Sequence, residues 1–276
     1  MQKLIICFLL ATSFAGGATA QNYYKDLVSN RQLLADMAAY KENKVKTINI
    51  KSFNDDGSES EGFFCQKKLS RDYKRSELFT RADIAPASLF VSVFDNDGKL
   101  LSTNDSSSIS VTAIKYSYDD KKRIQSILSV VKSQDDDFSN EITEEHIYTY
   151  DDNNRPVSML KIKNRTDTSL ISFGPDDKGN VGIEKDAKTG AKFYYYYDAK
   201  NRLTDIVQAN EYKENLKPDY VFEYNNAGLI TQMTSVEEGS SNYFIWKYNY
   251  DNNLRIKERC FTNERRLMGS IEYEYK

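Results

Sequence analysis

The sequence predicts an all-β fold, an antiparallel meander of repeated hairpins with about 16 to 18 strands, curled into a soluble, barrel-like structure and preceded by one N-terminal amphipathic helix. Three observations lead to it. A Tyr-x-Tyr-Asp pattern recurs along the chain, each copy is followed at a fixed distance by a residue suited to a tight turn, and the one stretch with helical spacing precedes the first copy.

The copies are Tyr116-Ser117-Tyr118-Asp119, Tyr148-Thr149-Tyr150-Asp151, Tyr195-Tyr196-Tyr197-Asp198, Phe222-Glu223-Tyr224-Asn225 and Tyr248-Asn249-Tyr250-Asp251. Looser copies place Asn54, Asp95 and Asp176 in the same role. Aromatic residues at i and i+2 of a strand share a face, so each copy adds two rings to one side of a sheet. The Asp accepts a hydrogen bond from a backbone N–H two residues on and starts a turn. Three residues after it, Gly57, Gly98, Asn154, Gly179, Asn201 and Gly228 stand where a hairpin turn needs a left-handed residue, whereas Lys122 and Leu254 depart from the rule. Four copies carry an Arg four residues after the Asp, namely Arg123, Arg155, Arg202 and Arg255. Five of the seven steps between anchors run from 22 to 27 residues, the length of one hairpin and its return loop.

The full pattern Tyr-x-Tyr-Asp-x-x-Asn-Arg-Leu, complete from Tyr195 to Leu203, resembles the YD repeat of the RHS and wall-associated bacterial proteins. The chain is similar, too, to secreted bacterial families of unknown function with a porin-like β-meander. The resemblance covers residues 44–276, a single β domain. It implies hairpins wound around an interior and brings no catalytic residue with it.

Ahead of that domain stand two short segments. Lys3, the mostly apolar run Leu4 to Ala15 and the small residues Ala18-Thr19-Ala20 form a secretory signal peptide over residues 1–20, which predicts a periplasmic or extracellular protein beginning at Gln21. The apolar run is too short to span a bilayer, so no membrane span is expected after cleavage. Residues 21–43 form the helix, because Tyr24, Leu27, Val28, Leu34, Met37 and Ala38 recur at helical spacing. A wide barrel has a lumen to fill, and this helix is the segment expected to cover or plug it. Lys115, Glu223, Lys247 and Asn249 stand opposite the aromatic stripe, giving the second face the polarity of a water-facing wall. The net charge is −3 with both signs interspersed, which argues against a nucleic-acid partner.

The chemistry-bearing residues are few. A single histidine, His146, excludes any mechanism or metal site built on several, and its expected place is on the face of Tyr148 and Tyr150. No nucleophile elbow, phosphate loop or dinucleotide fingerprint occurs, and no cofactor is expected. Asp95 to Gly98 and Asp135 to Asp137 lack the spacing of a calcium loop, so no metal is expected either. The paired carboxylates Asp119-Asp120, Asp151-Asp152 and Asp176-Asp177 lie in turns, where Asp serves the backbone. The aromatic stripe of Tyr197, Tyr224, Trp246, Tyr248 and Tyr250 is the candidate ligand-binding face, a platform for sugar rings, with a purely structural core as the alternative. Cys65 and Cys260 survive export and are read either as a disulfide locking the first hairpins to the last or as two buried thiols. These features point to an exported binding or scaffolding protein with a glycan or a cell-envelope protein as partner. A carboxylate-based glycan hydrolase and a small shell enclosing a partner are the alternatives.

Overall fold

A computed structural model describes residues 21–83, 85–135, 140–209, 218–236 and 242–276; the expected signal peptide lies outside the described residues. The helix opens as a π-helix over Tyr23–Val28 and continues as α1 over Ser29–Glu42. The strands are β1 (Thr47–Asn54), β2 (Phe64–Leu69), β3 (Arg75–Ala82), β4 (Ala85–Phe94), β5 (Leu100–Ser107), β6 (Ser110–Tyr118), β7 (Ile124–Ser133), β8 (Glu141–Tyr150) and β9 (Pro156–Lys163). The second half adds β10 (Asp167–Pro175), β11 (Val181–Asp186), β12 (Lys192–Tyr197), β13 (Leu203–Ala209), β14 (Tyr220–Tyr224), β15 (Ile230–Val236), β16 (Tyr243–Asp251), β17 (Leu254–Thr262) and β18 (Leu267–Tyr275).

Each strand pairs antiparallel with its sequence neighbour, and β1 also pairs with β18 from Ile48↔Tyr275 to Asn54↔Gly269, so the 18-stranded meander closes into a barrel. Closure removes both sheet edges. The backbone of Lys276 finishes the seam, its carbonyl accepting from Lys46 and Thr47 N–H.

The turn chemistry follows the sequence closely. In the β8–β9 hairpin Asp151 Oδ1 accepts from the N–H of Asn153 and of Arg155, each at 2.9 Å, and Asn154 takes φ +64°. Lys122 takes φ +65° at the equivalent position although it is neither Gly nor Asn. The anchor at Asn54 stands apart. Between it and Asp95 lie β2, β3 and β4, an odd number of strands, so the Asn54 turn sits at the opposite rim from the other seven.

Tyrosine hydroxyls tie successive hairpins together. Tyr118, Tyr150, Tyr197, Tyr224 and Tyr250 donate to the carbonyls of Leu100, Ile124, Val181, Leu203 and Ile230, each one hairpin back, at 2.6–3.0 Å. Arg123 and Arg202 hold their own turn Asp through Nε at 2.7 Å and lie over Tyr150 and Tyr224, with 4.4 and 4.7 Å to the ring centroids. The Tyr, Asp and Arg of the pattern are therefore one structural clasp repeated around the wall.

The last hairpin breaks the pattern: its Arg255 stacks on Tyr248, 4.5 Å from the ring centroid, but pairs with Glu258 in place of its turn Asp. Asp251 pairs directly with Leu254, and Asn252 (φ +50°) and Asn253 (φ +63°) make a two-residue turn, one residue shorter in effect than the others. Arg255 thus lies opposite Tyr250, the place that Ile124 holds opposite Tyr118 and Leu203 holds opposite Tyr197. It points into the lumen instead of gripping its turn.

The helix lies across that lumen. Its first turn packs on the cluster around Phe173, Tyr195 and Phe222, and Met37 joins the cluster around Ile48, Ile50 and Leu254. Asn43 Nδ2 reaches the Asn252 carbonyl at the turn rim. The buried helix residues are Tyr23, Asp26, Asn30 and Met37, two of them polar, while Ala38 of the expected apolar stripe is exposed. An enclosed plug meets polar wall groups on several sides, which is why a simple amphipathic stripe describes it only in part.

Of the two readings of Cys65 and Cys260, a disulfide or two buried thiols, the structure has the thiols. Cys65 on β2 faces Ile50 of β1, and Cys260 on β17 faces Gly269 of β18, so two whole strands stand between them. At roughly 4.8 Å per strand their separation is about twice what a disulfide spans. Closure comes from the β1–β18 ladder.

Candidate ligand-binding lumen

The wall turns polar groups inward where the helix passes, beginning at its first residues. Glu184 of β11, 1% exposed, accepts four hydrogen bonds: from the Asn22 and Tyr23 backbone N–H, from Asn22 Nδ2 and from the Tyr195 hydroxyl, all at 2.7–3.0 Å. A carboxylate at a helix N-terminus satisfies orphan N–H groups and meets the positive end of the dipole. Burial nonetheless pushes its pKa up against those donors.

One turn further along, Asp26 meets His146. Nδ1 of the imidazole lies 2.5 Å from Asp26 Oδ2, Nε2 lies 2.9 Å from Glu144 Oε1, and the Tyr148 hydroxyl donates to Asp26 at 2.6 Å. Burial works against charge on His146, but the flanking carboxylates outweigh it and raise its pKa to about 9. His146 does share the face of Tyr148, as its spacing implies, yet it is an ionic staple between wall and helix.

A third group surrounds a cavity of about 140 Å³ between α1 and the wall of β1–β6 and β16–β18. Arg255 Nη1 donates to Glu258 Oε1 at 2.8 Å, and the Tyr273 hydroxyl donates to the same oxygen at 2.5 Å. Asp36 accepts from Gln32 Nε2 at 3.4 Å, and burial pushes its pKa up. Lys67 of β2 stands over the Tyr40 ring, 5.5 Å from its centroid, and burial pulls its pKa down although Asp36 opposes the shift. Ile48, Ile50, Leu78, Phe90 and Leu100 make the apolar side.

The five aromatic residues singled out from sequence all face inward. Tyr197, Tyr224 and Tyr250 spend their hydroxyls on wall carbonyls, Tyr248 lies under Arg255 at 4.5 Å, and Trp246 is buried between Met233 and Cys260. Only Tyr250 of the five borders the cavity. Arg255 was singled out only as a turn-associated Arg, and Asp36, Lys67 and Glu258 were not singled out. The signals for Arg255, Lys67 and Glu258 were Leu254 in the place of a left-handed turn residue before Arg255 and charged residues at inward positions of alternating strands. The turn carboxylates Asp119, Asp151, Asp176 and Asp198 are each committed to backbone N–H groups at the rim. Among the described residues, no three His, Cys, Asp or Glu side chains converge to hold a metal ion, and no helix is long and apolar enough to cross a membrane.

No protein-family profile matches the sequence, and no curated protein matches it. Among solved structures, a porin-like protein from Bacteroides uniformis is similar at 10% identity and a TM-score of 0.36, with 84% of this chain and 98% of that one covered. A chain of the Photorhabdus luminescens Tc holotoxin pore is similar at 10% identity and a TM-score of 0.34, with 76% of this chain but 12% of that one covered.

Proposed function

We propose that the protein is an exported binding barrel that holds a small ligand in its lumen beside the N-terminal helix. The carrying observation is the cavity of about 140 Å³, mostly apolar with Lys25, Asp36, Lys67 and Arg255 on its border, left between α1 and the wall. A few convergent polar groups in a concave, mostly apolar space are the usual form of a small-molecule site. The self-filled lumen speaks against a channel and against a shell large enough for a second protein.

Export is supported by the signal-peptide pattern of residues 1–20 and by the position of Asn22, which is bonded to Glu184 inside the barrel. Cleavage after Ala20 leaves the new α-amino group one residue away from that bond. A water-facing outer wall is supported by the ion pairs Lys51–Glu274, Lys257–Glu272 and Lys132–Glu141, at 2.7–2.9 Å, on its exposed side. A lipid-facing band at those positions would be apolar. The YD-like hairpins account for the wall, with the clasp as their purpose.

Two measurements test the reading on protein secreted by its host. The intact mass should correspond to a chain starting at Gln21. A thermal-shift screen of small organic acids, amines, neutral aromatics and polysaccharides should raise Tm only for small molecules. Binding of a polysaccharide with no response to any small molecule would overturn the lumenal site.

A further inference from the structure

The cavity holds an unbalanced set of charges. Lys25, Lys67 and Arg255 face it from helix and wall, against Asp36 on its border and Glu258 behind Arg255. Arg255 and Glu258 satisfy each other, and Asp36 has Gln32. Lys67 has the Tyr40 face, but among the described residues its Nζ makes no hydrogen bond and no ion pair. A half-buried ammonium without an acceptor is unfavourable, and an incoming oxygen anion is what it lacks.

A second donor borders the same space. The Asn30 side chain belongs to a residue 8% exposed, and its Nδ2 has no hydrogen-bond partner; it lies beside the Tyr118 hydroxyl, outside hydrogen-bond geometry. Two unsatisfied donors in one cavity favour an oxygen-bearing ligand over a hydrocarbon. The opposite side, with Ile48, Ile50, Leu78, Phe90 and Leu100, is apolar, and the volume is close to that of cavities that admit a benzene ring, roughly 150 Å³.

Resting on the lumenal reading above, we propose that the cavity binds a small organic monocarboxylate of about phenylacetate size, with its carboxylate on Lys67 and its apolar body against the β1–β5 wall. One added negative charge balances the cations, and one ring fills the apolar side.

Calorimetric titration of the mature protein with phenylacetate, phenylacetamide and phenethylamine tests this. These probes share shape and differ in head-group charge. Phenylacetate should bind at least about ten-fold more tightly than the amide, the usual scale of one charge-assisted hydrogen bond. In Lys67→Met that preference should vanish while amide binding persists, and Lys67→Arg should retain it. Unchanged Tm and circular dichroism in each variant show that the fold is intact; should Lys67→Met not fold, the ranking of the three probes on the unaltered protein decides alone. Equal or tighter binding of the amide or the amine would overturn the carboxylate assignment while leaving a lumenal ligand in place. Silence from all three also overturns the assignment, and the broader thermal-shift screen judges the lumenal site separately.

Discussion

His146 on β8 holds Asp26 on the N-terminal helix through a 2.5 Å contact between residues 120 apart in sequence, and both side chains are about 5% exposed. With a pKa of about 9 in the folded chain against roughly 6.5 unfolded, the imidazolium contributes stability that is complete below about pH 6.5 and lost as pH rises through 9. The scale is roughly 3 kcal/mol. Glu144 acts in the opposite direction: although burial opposes it, the His146 contact holds its pKa low, so its contribution is lost in acid. Urea midpoints should fall between pH 6.5 and 9.5, and His146→Phe should flatten that fall. An equally steep fall in the variant would place the titration elsewhere.

Arg123 should matter more than an ordinary surface arginine. It grips Asp119 through Nε and covers Tyr150, whose hydroxyl bonds the Ile124 carbonyl. Arg123→Ala is expected to cost about 1–2 kcal/mol in urea unfolding, and Tyr150→Phe about 1 kcal/mol. Because the two groups touch, the double variant should lose less than the two single losses added together. Strict additivity would mean that the clasp is not a unit.

The repeat was legible because it is local. Turn type, inward face and strand number follow from residues within one hairpin, and the clasp is written in Tyr, Asp and Arg at fixed spacing. What was hidden depends on closure. Lys67 and Arg255 meet the same cavity only because β1 pairs with β18 and places β2 near β17. Asp26 finds His146 only because the helix enters the barrel. The choice between a Cys65–Cys260 bridge and two thiols was likewise not legible, since hairpins that become neighbours on closure can still lie two strands out of reach.

Gly228 tests the turn in isolation. It has φ +86°, and an added Cβ would meet nothing within 4 Å, so any loss from a substitution is conformational and not steric crowding. Gly228→Val should cost about 1–2 kcal/mol. Gly228→Asn should cost much less, because Asn154 and Asn201 occupy the same place at φ +64° and +58°. Equal losses for Val and Asn would show that backbone strain is not what this position resists.

Glu258 and Arg255 form the test of the lumen's charge balance. Glu258→Gln leaves the Arg255 guanidinium facing the cavity without its counter-ion, and removal of one partner of a buried pair is expected to cost about 3–5 kcal/mol. Arg255→Leu restores the residue type that Leu203 and Leu100 supply at the equivalent place beside their turns. In the double variant Arg255→Leu with Glu258→Gln, neither member of the pair is left charged without the other, Tyr273 keeps an acceptor, and most of the lost stability should return in guanidinium unfolding. Failure of the double variant to recover would locate the effect in Glu258 itself, whereas a Glu258→Gln loss below about 1 kcal/mol would show that water in the cavity already solvates Arg255. A water-filled charged cavity then predicts the wild-type behaviour in turn: a ligand that displaces this water must replace its hydrogen bonds, so an apolar molecule without a polar head should gain nothing there.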